Sequence, residues 1–151
     1  MPAASAPVED FNKYSIQMKY FTIQELCQSD TAAAKEIDNT PPICATASLT
    51  DLISDILDPV REKWGKPIRV TSGYRCPALN KAVGGTPSSQ HLRGEAADIT
   101  TGNKKGNQAL YELIKSSELD FDQLIDEKNF TWLHVSYTKT RKNRRNAFKI
   151  A

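Results

Sequence analysis

The sequence is short of the residues that usually staple or arm a small protein: two histidines (His91, His134) and three cysteines (Cys27, Cys44, Cys76) among 151 residues. The cysteines are odd in number and form no CxxC pattern. That argues against a disulfide scaffold and against thiolate-ligated zinc, and predicts reduced thiols. No apolar run is long enough to span a bilayer, and the N-terminus lacks the basic-then-apolar order of a signal peptide. The expectation is a protein made in the cytoplasm that reaches any external target by another route. Net charge is only +2, so no overall field points to nucleic acid. With 39% hydrophobic and 25% charged residues, the chain can build the core of one ordinary domain. It is expected to be a monomer.

Residues 1–17 are rich in Ala, Pro and Ser without apolar periodicity and are expected to form a poorly ordered arm, with the folded unit over 18–151. Thr22-Ile-Gln-Glu25 is a capping box opening a short helix near 23–28, and 31–37 predicts another. Leu49, Leu52, Ile53, Ile56, Leu57, Val60 and Trp64 share one face of a helix over about 45–64. Pro59 should kink or divide it at Asp58, and Gly65 should end it. Residues 67–75 alternate as a strand, and 76–94 read as loop with one helical turn at 78–82. Residues 96–99 read as a strand and 106–116 as a helix. The runs 121–125 and 131–137 form a hairpin, and AFKI (147–150) a last edge strand. Helices first and strands afterwards predict an α+β domain with an antiparallel sheet.

Both histidines sit in informative company. Ser89-Gln-His91-Leu-Arg-Gly94-Glu-Ala-Ala-Asp98 brings a His and an Asp seven apart, with Gly94 between them to let the chain turn back. In Trp132-Leu-His134-Val-Ser136, strand alternation sets Trp132, His134 and Ser136 on one face and Leu133, Val135 and Tyr137 behind it. Imidazole nitrogen and carboxylate oxygen both suit a catalytic zinc, which takes three protein ligands and keeps a fourth position for water. Singly, a strand histidine is more often a satisfied polar residue, and Asp98 could simply end a strand.

Three segments carry a resemblance: SGYRCPALNKAVGG (72–85), SQHLRGEAADI (89–99) and WLHVSY (132–137). Together they resemble the zinc D-alanyl-D-alanine carboxypeptidases and related peptidoglycan endopeptidases, a family that includes phage endolysins and shares its fold with the hedgehog signalling domain. The resemblance covers about residues 18–150. It implies an antiparallel sheet with helices packed on one side, and a zinc ion held by His91, Asp98 and His134. It also implies hydrolysis of a peptidoglycan stem or cross-link peptide. A zinc-containing binding module of the same fold without turnover is the alternative, because hedgehog keeps its zinc in another role.

The same resemblance sets a problem over the general base. Relatives often carry an acid three residues before the last ligand, where this chain has Thr131. Glu127, in Gln123-Leu-Ile-Asp-Glu127, is the best substitute. It could also be a solvated hairpin carboxylate, and Asp126 is its rival because hairpin ends often bulge. Arg75 resembles the family's arginine that meets a substrate carbonyl or carboxylate, although it could instead bond loop carbonyls. Ser89 resembles a substrate-holding position, and Gln90, Tyr74 and Trp132 are further candidates for the pocket. The tail 138–149 has six Lys or Arg and no acid. It reads as a solvated edge rather than as a surface for anionic polymers or nucleic acid.

Overall fold

A computed structural model describes residues 18–151; the arm expected over 1–17 lies outside the described residues. Two short helices come first, α1 (Ile23–Cys27) and α2 (Asp30–Ala34), followed by α3 (Ile43–Leu52), a π-helical turn (Ile53–Leu57) and α4 (Asp58–Trp64). Then come β1 (Arg69–Ser72), α5 (Pro77–Ala82), a 3-10 turn (Gln90–Arg93), β2 (Ala96–Thr100), α6 (Lys104–Lys115), β3 (Gln123–Glu127), β4 (Trp132–Ser136) and β5 (Asn146–Ile150). Among the described residues no helix is long and apolar enough to cross a membrane.

Local chemistry accounts for most of these boundaries. The Thr22 hydroxyl accepts the Glu25 N–H at the start of α1. Pro59 divides the long helix at Asp58, as expected, without ending it. The turn before it widens, so that the Asp58 N–H bonds the Ile53 carbonyl five residues back, and α4 restarts with the proline in its first turn, where no donor is missed. Gly65 then ends α4 at φ 76°, a left-handed position that favours glycine.

The five strands lie in the order β1-β2-β4-β3-β5. β2 runs antiparallel to both β1 and β4, and β3 antiparallel to β4. The edge pair corrects the expected all-antiparallel sheet: β5 lies parallel to β3, with Gln123 opposite Asn146 and Glu127 opposite Ile150. After β4 the chain crosses over through residues 137–145 instead of returning by a tight hairpin. A five-residue strand carries no signal of its direction in its own sequence.

One face of the sheet is covered. Leu49, Leu52, Ile53, Ile56, Leu57 and Val60 of the long helix, with Leu110 and Ile114 of α6, pack against Ala97, Ile99, Leu124, Leu133 and Val135. Burying each such Leu or Ile stabilises the fold by about 1.5–3 kcal/mol, so this layer fixes the sheet. The other face carries polar side chains, among them Asp98 and His134.

Candidate metal centre and active site

The open face is organised in rows by strand register. Asp98 on β2 stands beside His134 on β4, which stands beside Ile125 on β3. Two residues along, Trp132 pairs with Glu127. His91 comes from the 3-10 turn over the sheet. The Ser89 hydroxyl caps this turn by accepting the His91 N–H, and Gly94 closes it at φ 71°. A β-carbon on Gly94 would lie 2.5 Å from the Ala45 carbonyl oxygen, so the return from His91 to Asp98 needs glycine.

These elements bring three donors together. Asp98 Oδ1 lies 3.3 Å from His91 Nε2 and 3.2 Å from His134 Nδ1. The two imidazole rings meet edge to face, 5.1 Å between centroids. All three residues are buried, at 3%, 6% and 8% exposure for His91, Asp98 and His134. His91 Nδ1 lies 2.7 Å from the Gly73 carbonyl oxygen. A carbonyl only accepts, so Nδ1 carries the proton and Nε2 keeps its lone pair on the Asp98 side.

The arrangement fits a divalent metal. Lone pairs from two imidazoles and a carboxylate face one another, which is unfavourable unless a cation or extra protons lie among them. The three ligand atoms all fall within 4.8 Å of one another. His134 Nε2 is buried without a hydrogen-bond partner among the described residues. Two nitrogens and one oxygen form a donor set suited to zinc, with room for a fourth ligand. Burial pushes the Asp98 carboxyl up, but positive charge on the adjacent His91 and His134 imidazoles outweighs it and holds the group well below the usual carboxylate range, so without a cation among the three donors the histidines take up protons.

Supporting side chains fix this triad. Arg75 donates from Nη2 to Asp98 Oδ2 (3.4 Å), from Nε to the Ser72 hydroxyl (3.0 Å) and from Nη1 to Asn80 Oδ1 (3.2 Å). One carboxylate oxygen thus faces the histidines while the other is held by the guanidinium. Ser72 reaches this position because a bulge leaves Thr71 unpaired and sets Ser72 opposite Asp98. Asn80 also donates to the Thr86 carbonyl, tying the 83–89 loop to Arg75. Gly85 lies so close that a β-carbon there would stand 2.1 Å from Asn80 Oδ1.

The centre lies in a cleft of about 730 Å³, lined among others by Arg75, Ser89, Gln90, His91, Asp98, Gln123, Glu127, Trp132, His134, Arg141 and Arg144. Glu127 is on the cleft wall, and its Oε2 accepts the Trp132 Nε1–H at 3.2 Å. Asp126 is turned to the other side and buried, and its Oδ1 accepts the Phe130 N–H. It closes a tight turn in which Lys128, Asn129 and Phe130 all have positive φ. Thr131 is off the cleft, its hydroxyl donating to the Lys128 carbonyl. Ser89, Gln90 and Trp132 are brought to the cleft. Tyr74 is not: it packs into the apolar core, because Gly73 is pressed against the α1 backbone and the next side chain turns inward.

Sequence reasoning missed Ser72, Asn80 and Asp122. Asp122 is completely buried at 0% exposure and takes two hydrogen bonds each from the guanidinia of Arg141 and Arg144, plus one from Gln90 Nε2. Burial pushes its carboxyl up, yet the two arginines hold it far below the usual range. The basic tail is an exposed edge, as expected, but Arg141 and Arg144 also fasten it to the buried Asp122. Arg145 likewise donates to the Ser117 and Lys115 carbonyls, and Lys139 pairs with Asp51 and Asp55. The charge run gave a signal, but Asp122 sat inside an apolar stretch and looked like strand filler.

Comparison with known proteins agrees with this geometry. The Peptidase M15 family model matches residues 19–136, and the chain belongs to that family. The chain is also similar to the zinc D-Ala-D-Ala carboxypeptidase of Streptomyces albus G, with 36% identity over 88 residues. That alignment spans 56% of this chain and 32% of the relative, about a third of its length.

Proposed function

We propose that this protein is a zinc metallopeptidase that hydrolyses peptide bonds in the stem or cross-link peptides of peptidoglycan, as a D-Ala-D-Ala carboxypeptidase or an endopeptidase. The observation that carries the reading is the meeting of His91 Nε2 and His134 Nδ1 at Asp98 Oδ1 inside a cleft whose wall also bears Glu127. Similarity to the Streptomyces zinc D-Ala-D-Ala carboxypeptidase supports the D-Ala-D-Ala substrate class. Action at the cell wall belongs to the same proposal.

His91, Asp98 and His134 would hold the zinc, which would supply Lewis-acid chemistry for activating water and polarising a carbonyl. The protein's own groups do the rest. Glu127 takes the proton of the attacking water and returns it to the leaving amine, and the Trp132 indole N–H holds one of its oxygens in place. Arg75 keeps Asp98 oriented and sets a guanidinium at the cleft for the substrate carbonyl oxygen. The Ser89 hydroxyl, whose oxygen caps the His91 turn, keeps its hydrogen free to donate to substrate. Glu127 supplies the acid that Thr131 cannot, which favours turnover over a binding module.

The test is purified protein incubated with defined stem peptides and muropeptides, with and without a chelator. The expected result is a cleavage product that disappears with the chelator and returns with added zinc. Absence of any chelator-sensitive product from every peptide would overturn the reading.

A further inference from the structure

The cleft has two chemically opposite ends. On one side of the metal row stand Glu127 and Trp132, and on the other, past Gln123, stand Arg141 and Arg144. Both arginines are half-exposed, and both spend part of their donor set on the single buried carboxylate of Asp122. Two guanidinia share this one carboxylate, and Glu95, which also attracts Arg141, is itself paired with Arg93, so one positive charge is in excess at this end. Arg141 Nε and Arg144 Nη1 have no protein partner among the described residues.

Gln90 supplies a second, independent sign of a ligand. It lies at the same end, only 8% exposed, with Nε2 bonded 3.0 Å from Asp122 Oδ2. A carboxylate only accepts, so the amide orientation is fixed and Oε1 is the free atom. That oxygen is buried and has no hydrogen-bond partner among the described residues. A buried acceptor left single costs stability unless something donates to it.

We propose that this end of the cleft is a subsite for a free carboxylate on the peptide substrate. The carboxylate is held by Arg141 and Arg144, and the N–H of the same residue is accepted by Gln90 Oε1. The subsite rests on the peptidase reading above and adds to it the acidity and position of one substrate residue. Asp122 precedes Ile125, the neighbour of His134, by three strand positions. At roughly 3.3 Å per residue this is about 10 Å, so an extended peptide reaches the arginines two to three residues from the bond that is cut. Asp122 is then a positioning residue, which orients both guanidinia and the Gln90 amide without touching substrate.

The alternative is that the arginines only fasten the 138–145 crossover to the sheet, and the experiment separates the two. Zinc-loaded protein is given pairs of stem peptides that are identical except that the carboxylate two or three residues from the cleaved bond is free or amidated. Amidation is expected to raise KM about tenfold or more with little change in kcat, the size expected for a charge-assisted hydrogen bond. In Arg144→Gln, with Arg141 still paired to Asp122, the KM for the acidic peptide rises and that for the amide does not. Equal KM values for the two peptides in the unmodified protein overturn the proposal, and so does a variant that weakens both peptides equally. The comparison within the unmodified protein stands even if the variant does not fold. Binding of both peptides is also titrated with zinc-loaded Glu127→Gln. If nothing is cleaved, the peptidase reading fails by itself, while tighter binding of the acidic peptide upholds the subsite and equal binding removes it.

Discussion

The two faces of the sheet follow different rules. The covered face is a continuous apolar layer in which Leu133 and Val135 are fully buried against helix side chains. The open face is polar, and its groups are held by specific partners: His91 by the Gly73 carbonyl, Asp98 by Arg75, Glu127 by Trp132. β4 contributes to both, residue by residue. Leu133 is read by area and His134 by geometry, so neighbours on one strand should fail in different ways when changed.

The largest effect expected is His134→Ala. Losing one of three ligands should remove tightly bound zinc and lower hydrolysis by about a thousandfold or more, while the fold survives. Metal content and activity check it together. Leu133→Ala should do the reverse. Removing that buried side chain costs about 3 kcal/mol and lowers Tm by roughly 10 °C, with zinc stoichiometry unchanged in the folded fraction. If His134→Ala unfolds the protein while Leu133→Ala abolishes zinc binding, the division between faces is wrong.

Glu127→Gln sharpens the contrast within the open face. It keeps the shape and the bond to Trp132 but removes the carboxylate proposed as the base, so kcat should fall about 10²- to 10⁴-fold with zinc content intact. Asp126→Asn, at the adjacent residue that faces the other way, should leave kcat nearly unchanged and act on stability through the Phe130 turn. Activity that survives in Glu127→Gln and is lost in Asp126→Asn would exchange the two roles.

The same contrast explains what could be read from the sequence. Periodicity reports burial of apolar side chains, so the long helix, α6 and the inner positions of β3 and β4 were legible. The grouping of His91, Asp98 and His134 was legible through the family resemblance carried by residues 89–99 and 132–137. The supports were not, since Ser72 reaches Arg75 only through a bulge, and Asn80 only because Gly85 lets the loop close on it. Tyr74 misled for a related reason: adjacency to SGYR in the chain does not say which side of the sheet receives the ring. The parallel pairing of β5 was hidden because it depends on a crossover pinned by Asp122, and a buried aspartate looks in sequence like any other strand-end residue.

Gly85→Ala should have an intermediate effect. The added methyl overlaps the Asn80 amide, displaces Arg75 and loosens Asp98, at a cost of about 1–3 kcal/mol in packing. Zinc affinity should drop, and apparent Tm should depend more on added zinc than in the unmodified protein. Thermal melts across a zinc titration check it. An unshifted titration would mean that the 83–89 loop does not support the ligands.

The smallest effect concerns Asp122 and its dependence on pH. The folded protein holds this carboxyl well below its ordinary range. A group depressed on folding adds stability above its unfolded pKa, about 3.9 for aspartate, and loses it as pH falls toward the folded value. Asp122→Asn cannot titrate, and it also leaves Arg141 and Arg144 without their anion. The variant should therefore melt lower than the unmodified protein near pH 7, and the gap should narrow steadily below about pH 4. Because both arginines are half-exposed, the gap should also shrink in high salt. A gap that is constant across pH would assign the buried carboxylate a purely steric role, and β5 would then be held by strand pairing alone.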